Sequence, residues 1–202
     1  MDYSLEYIWK SAGGFVYPLL VCSVLALIVF IERLLALQSK KVMPKELIEL
    51  FLQGDITKPL SQKSLTTGGR ILNFFHKHKP CPAALKAYAD LETTQLERGL
   101  FIIEIAVSAA PLIGLLGTVM GLVQLFAKLP NKGALPAAEV FMQGIALALT
   151  TTMLGLCIAI PCIAAHNFLL RRVEVLSAQI YVGVERLISL AHNFDKDHEK
   201  PS

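Results

Sequence analysis

The sequence predicts an all-α membrane protein with three transmembrane helices, the second and third of which continue beyond the bilayer into the cytoplasm. Two observations point there first. The chain of 202 residues is 54% hydrophobic and only 17% charged, with a mean hydropathy of +0.54, which is too apolar for an ordinary soluble domain of this size. No formally charged residue occurs from Ser11 to Ile31, from Ile105 to Ala127 or from Val140 to Leu170, and each stretch reaches the roughly 20 residues that cross hydrocarbon. In lipid the backbone must satisfy its own hydrogen bonds, so these stretches are helices.

The first stretch follows Asp2 and Glu6 and is closed by Glu32 and Arg33. It lacks the basic start and small-residue cleavage site of a signal peptide, so it reads as a retained helix. The third overruns the bilayer by about two turns at 1.5 Å rise per residue and should project into water as a continuous helix, with Pro161 as a kink point. Lys40, Lys41, Lys45, Lys58, Lys63, Arg70, Lys77, Lys79, Lys86 and Arg98 lie between the first two spans, and Arg171 and Arg172 close the third. The positive-inside rule makes those sides cytoplasmic. The N-terminus and the Lys128–Glu139 connection then face the periplasm, against the mild opposition of Lys128 and Lys132. The expected division is a periplasmic N-terminus over 1–13, membrane helices over 14–37, 105–127 and 140–170, a cytoplasmic helical region over 38–104, a periplasmic loop over 128–139, and a cytoplasmic extension and tail over 171–202.

Within the cytoplasmic region, turn signals at Gly54-Asp55, Pro59, Gly68-Gly69 and Pro80-Cys81-Pro82 leave room for a few helices, with Pro44–Gln53 and Gly69–Lys77 as two of them. No breaker is expected from Pro82 to Pro111, so the second membrane helix should begin well inside the cytoplasm. After Arg172 the residues Val173, Leu176, Ile180, Leu187, Leu190 and Phe194, with Gly183, alternate at three- and four-residue spacing as a packing seam. Packing on the chain's own neighbours and contact between identical subunits both fit it.

A formal charge of +3 without a basic stripe gives no support for nucleic-acid binding. Cys22, Cys81, Cys157 and Cys162 show no paired CxxC or zinc-like spacing and read as small hydrophobes. No nucleophile elbow, His-Glu metal pair or phosphate loop occurs, so neither an enzyme nor a cofactor or metal is expected. A solute transporter would need repeats and broken helices, and the three spans lack internal symmetry. An oligomeric scaffold without ion conduction would use the same glycine faces.

An Asp or Glu at the bilayer centre costs about 2.5 to 3.5 kcal/mol and commonly marks an ion path. These spans contain none; Glu32, Glu104 and Glu139 stand at their ends and read as solvated. What the spans offer instead is small residues and hydroxyls. Gly114, Gly117 and Gly121 share one helix face with Thr118 beside it, so another helix can approach closely. Ala148, Thr152, Gly155 and Ala159 recur similarly in the third span, while Thr150 and Thr151 point to other sides. A membrane threonine commonly bonds its own helix. Two such stripes on adjacent antiparallel helices can instead line a crevice whose hydroxyls meet a carboxylate on a foreign helix, with Thr118 and Thr152 as the leading candidates.

The run from Ala110-Pro111-Leu112-Ile113-Gly114 through Gly117-Thr118-Val119-Met120-Gly121 resembles the second-helix signature of the ExbB/TolQ/MotA proton-channel family. Gly144 to Thr152, with Gly155-Leu156 and Ala159-Ile160-Pro161, resembles its third-helix signature. The three-helix layout is similar to the ExbB/TolQ branch rather than to four-helix MotA. The resemblance implies a homopentameric ring around a dimer of ExbD/TolR-like single-span proteins that bring the membrane aspartate, in a bacterial inner membrane. Thr118, Thr152, Thr151 and Ala148 would then face the proton pathway or partner, and Gly114, Gly117, Gly121, Gly155, Pro111 and Pro161 would serve helix packing. Leu147 stands where that branch usually has a glutamate, which marks a divergent paralogue. His166 reads as an interfacial anchor, and His76 with His78 as a solvated loop pair.

Overall fold

The computed structural model describes residues 13–44, 47–49, 66–127 and 138–198. Most of the expected Pro44–Gln53 helix, the N-terminal twelve residues, the 128–137 connection and the last four residues lie outside these, as do the side chains of Glu139, Leu147 and Phe194. The described residues are helical, without a strand. A 3-10 turn at Gly13–Phe15 leads into α1 (Val16–Ala36), followed by the short α2 (Ser39–Val42), α3 (Thr67–His78), α4 (Pro82–Glu97), α5 (Leu100–Ala127) and α6 (Ala138–His198).

Sequence chemistry sets the boundaries. Thr66 caps α3, its hydroxyl accepting from the Gly69 N–H at 3.1 Å, and Lys79 ends the helix in the left-handed region at φ 42°. Pro82 opens α4 at its first turn, where a missing N–H costs nothing. The uninterrupted helix expected from Pro82 to Pro111 is instead broken at Arg98–Gly99. Gly99 adopts φ 90°, a conformation that glycine enters without a Cβ penalty, and α5 restarts at Leu100. His76 and His78 are not in a loop: they occupy the last turn of α3, where basic groups suit the helix dipole, and His78 stacks on Phe74 with ring centroids 5.1 Å apart.

The chain divides into two compact units, residues 1–31 with 99–167, and 32–98 with 168–202. The first takes in α5, with α1 up to Ile31 and α6 up to Asn167, from the three helices long and apolar enough to cross a membrane. They expose large apolar side chains outward, among them Leu20, Val24 and Ile28 of α1, Leu112, Leu116 and Val119 of α5, and Leu149, Met153 and Ile160 of α6. Water would not tolerate so continuous an apolar surface, and lipid requires it. The protein is therefore a membrane protein. Inside this unit Leu19 of α1, Ala110 of α5 and Ala159 of α6 form the buried centre, flanked by Ile113, Leu154 and Ile158.

In the second unit α3 packs on α4, with Phe74 and Tyr88 stacked at 4.2 Å. Leu85, Ala89 and Leu96 of α4 are buried, as are Leu169, Val173, Leu176, Ile180, Val184 and Leu187 of α6. The alternating seam after Arg172 is thus occupied within a single chain as far as Leu187, and Leu190 is half-buried. Two polar links fasten α4 to α6: Tyr181 Oη donates to Asp90 Oδ1 at 2.5 Å, and Lys86 Nζ lies 2.6 Å from Glu185 Oε1. Their order shows the helices antiparallel, since Lys86 precedes Asp90 while Glu185 follows Tyr181. Arg70 of α3 holds Glu92 of α4 through both Nε and Nη2, the latter 2.5 Å from Oε2. Glu92 is 5% exposed at its side chain, so this forked bond supplies the compensation a buried carboxylate needs.

Candidate functional site

The site is the line along which α5 and α6 meet in the first unit. The contacts run in opposite order along the two helices. A Cβ built on Gly121 would lie 3.0 Å from the Gly144 carbonyl and 3.3 Å from the Ala148 Cβ, and one on Gly114 would lie 3.0 Å from both the Thr151 carbonyl and the Thr152 Cα. Gly155 sits against Ala110, its hypothetical Cβ only 2.5 Å from the carbonyl oxygen. The helices are antiparallel and nearly backbone to backbone, which only hydrogen side chains allow.

Ala148, Gly155 and Ala159 lie within about 20° of one line on α6 at 100° per residue, while Thr151 falls about 60° to one side and Thr152 about 40° to the other. The spacing leaves open which threonine turns inward, and the expectation that Thr151 points elsewhere is corrected. Thr151 is fully buried, at 0% exposure, because Gly117 leaves a notch for it: a Cβ on Gly117 would come within 2.6 Å of Thr151 Cβ and 2.9 Å of its Cγ2. Ala148 is also buried. Thr152 and Thr118 remain half-buried at the rim. Pro111 and Pro161 lie inside their helices, where neither can donate to the carbonyl four residues earlier.

Three hydroxyls populate this uncharged seam. Thr118 Oγ1 donates to the Leu115 carbonyl of its own helix at 2.6 Å. Thr151 Oγ1 has the Ala148 carbonyl in reach at 2.9 Å and, across the seam, the Gly114 carbonyl at 3.4 Å. Thr152 Oγ1 donates across the helices to the same Gly114 carbonyl at 3.2 Å. Gly114 and Thr118 are one turn apart on α5, so the two rim hydroxyls border a common stretch of backbone. The shared acceptor is a main-chain atom and left no mark in the sequence. Gly144 did leave one, since it extends the stripe one turn before Ala148, and the sequence reading passed over it as a packing residue. His166 is half-buried on α6 beyond this seam.

What this arrangement does chemically is limited and specific. No group in it titrates near neutrality, yet Thr118 and Thr152 each hold a proton that can be redirected to an incoming acceptor and a lone pair that can receive one. The pair is suited to solvating a carboxylate that arrives from outside, in a wall otherwise made of apolar side chains.

This region of the chain is similar in sequence to known proteins. Residues 55–181 match the model of the MotA/TolQ/ExbB proton channel family. A biopolymer transport protein ExbB from Helicobacter pylori is 41% identical over 100 residues, covering 48% of this chain and 68% of that protein. One from Aquifex aeolicus is 45% identical over 89 residues, 44% of this chain and 59% of its own length. The Tol-Pal system protein TolQ of Pseudomonas aeruginosa is 32% identical over 109 residues, 54% of this chain and 47% of that one. The matched region takes in both α5 and the part of α6 that carries Thr151, Thr152 and Gly155. The chain belongs to the MotA/TolQ/ExbB proton channel family.

Proposed function

We propose that this chain is the proton-channel subunit of an inner-membrane motor of the biopolymer-transport type, in which it supplies the wall of the path and a second protein supplies the acid. The observation that carries the reading is the pair of rim hydroxyls, Thr118 and Thr152, on an antiparallel helix pair with no carboxylate of its own. A single-span partner of the ExbD/TolR kind, bearing a membrane aspartate, completes the path, and a homopentamer around a partner dimer provides the enclosure. In this reading the N-terminus faces the periplasm and the C-terminus the cytoplasm, which the lysines and arginines between α1 and α5 support.

In this mechanism a proton entering from the periplasm neutralises the partner's aspartate, which lowers the cost of moving that side chain through apolar surroundings. Thr118 and Thr152 solvate the carboxylate when it is charged. Thr151 and Ala148, buried behind them, hold the wall in place. Release to the cytoplasm recharges the acid and moves one element relative to the other. A proton falling through 100 mV yields about 2.3 kcal/mol, enough to bias a two-state element more than tenfold. With Leu147 where the ExbB/TolQ branch usually has glutamate, the hydroxyls carry the polar role alone.

Thr152→Val tests this, because it keeps the volume and removes the hydroxyl. Proton uptake by liposomes containing the co-purified complex should fall several-fold while the yield of assembled complex stays constant. An unchanged rate would remove the Thr152 hydroxyl from the path, and no uptake by either complex would favour a scaffold that conducts no ions.

A further inference from the structure

The seam between α5 and α6 holds no carboxylate, but α5 carries one beyond it. Glu104 is the only charged residue from Leu100 to Ala127. It stands one turn inside the helix, exposed between the exposed apolar side chains of Phe101 and Ile105. No ion pair joins it among the described residues. An unpaired acid within an apolar span calls for a function, and its face on the helix supplies one. At 100° per residue Ser108, Pro111, Leu115 and Thr118 lie within about 40° of Glu104 around α5, while Gly114 and Gly121 lie about 80–100° away, toward α6. Ile113, packed on the cluster of Leu19, Ala110 and Ala159, lies about 180° away. Glu104 therefore shares with the rim hydroxyl of Thr118 the face of α5 that neither α1 nor α6 covers.

We infer that Glu104 is the proton acceptor at the cytoplasmic mouth of the path, taking the proton after the partner's aspartate has released it and passing it to bulk water. The inference rests on the proposed path along Thr118 and Thr152, and the stretch between the helices stays uncharged. Glu104 lies about 21 Å along α5 from Thr118, at 1.5 Å rise per residue, so water carries the proton between them. The helix gives that water two footholds. Ser108 Oγ donates to the Glu104 carbonyl at 3.1 Å, which leaves its lone pairs to accept from a water. Pro111 cannot donate to the Val107 carbonyl, and Val107 is half-buried on the Thr118 side. The step balances: the aspartate becomes a carboxylate as Glu104 becomes a neutral acid, and Glu104 regains its charge as the proton leaves with cytoplasmic water. A carboxylate at such a mouth also concentrates cations, the proton included. By the register of Ala110 with Gly155, the titratable groups that α6 brings to this end of α5 are Cys162, which is buried, and His166, which is half-buried; Glu104 is the exposed one.

Proton flux at an imposed potential is measured in liposomes holding the complete co-purified complex, for wild type, Glu104→Gln, Glu104→Asp and Thr152→Val. Each is run with low and with raised inorganic phosphate, a mobile proton carrier that does not cross lipid. Glu104→Gln should slow flux by about tenfold, less than the roughly hundredfold of a buried acid or base because water shares the route. Glu104→Asp, which keeps the acid, should lose less. Phosphate should restore most of the flux in Glu104→Gln and leave wild type unchanged. Equal losses in the Gln and Asp variants without a response to phosphate overturn the inference, since a residue that only packs or seals behaves that way. Wild-type flux in Glu104→Gln beside a slow Thr152→Val overturns it too, and leaves the hydroxyl reading intact. Normal flux in Thr152→Val beside a slow, phosphate-rescued Glu104→Gln sinks the hydroxyl reading and keeps the exit. Should Glu104→Gln fail to assemble, Glu104→Ala with and without phosphate decides by the same response.

Discussion

Replacing Gly155 by alanine tests the packing on which the site depends. The added Cβ would stand 2.5 Å from the Ala110 carbonyl oxygen, 3.3 Å from the Ala110 carbonyl carbon and 3.3 Å from the Gly114 Cα. These are backbone atoms of α5 and cannot rotate aside. Ordinary contact begins at 3.4 Å, so α5 and α6 must part locally by most of the difference, about 0.9 Å, which a close-packed interior resists. Overpacking of this kind costs about 1–3 kcal/mol, and parting the helices also stretches the 3.2 Å bond from Thr152 to Gly114, worth about 0.6 kcal/mol in membrane helices. Alanine returns about 1 kcal/mol of helix propensity, leaving a net loss of roughly 1–2 kcal/mol. The assay is reversible unfolding of the full chain in detergent, followed by helicity. Gly14→Ala is the control, because nothing lies within 4 Å of the position its Cβ would take. Equal stability of the two variants would refute the close approach of α5 and α6.

Two further expectations concern the second unit. Arg70→Ala leaves Glu92 buried without its forked donor. With the Arg70 side chain 39% exposed, the loss should sit below the full penalty for a buried pair, at about 1–3 kcal/mol by denaturant unfolding, with Glu92→Gln partly restoring the Arg70→Ala variant. The phenol of Tyr88 is raised above its ordinary value by burial and by its bond to Glu92, and that of Tyr181 by its bond to Asp90. Raised phenols bind protons more tightly when folded, so their contribution is complete below the ordinary value of about 10 and declines as pH rises through the higher folded values. Stability should therefore fall with pH above about 10, and less steeply in the Tyr88→Phe, Tyr181→Phe double variant, as read from unfolding curves across that range.

The membrane helices were legible because hydrocarbon imposes a length and excludes charge, and both constraints are written in the order of residues from Ser11 to Ile31, Ile105 to Ala127 and Val140 to Leu170. The Gly114, Gly117, Gly121 stripe was legible for a similar reason, since close approach needs small side chains at helical spacing. The roles of Thr151 and Thr152 were not. They flank the Ala148, Gly155, Ala159 line on opposite sides, and only the crossing of α5, with Gly117 beneath Thr151, decides which is buried. The break at Gly99 escaped for want of proline, although its φ of 90° is a conformation that glycine alone adopts freely. The bonds from Arg70 to Glu92 and from Tyr181 to Asp90 join residues far apart in the chain, and no local pattern announces such pairs.

The central claim is that the path in this chain is uncharged and that its acid comes from elsewhere. Proton conductance under an imposed potential should be compared for liposomes holding this chain alone, the chain co-expressed with its single-span partner, and the same complex with the partner's membrane aspartate changed to asparagine. The account requires conductance only from the second preparation. Equal conductance from the chain alone would contradict it.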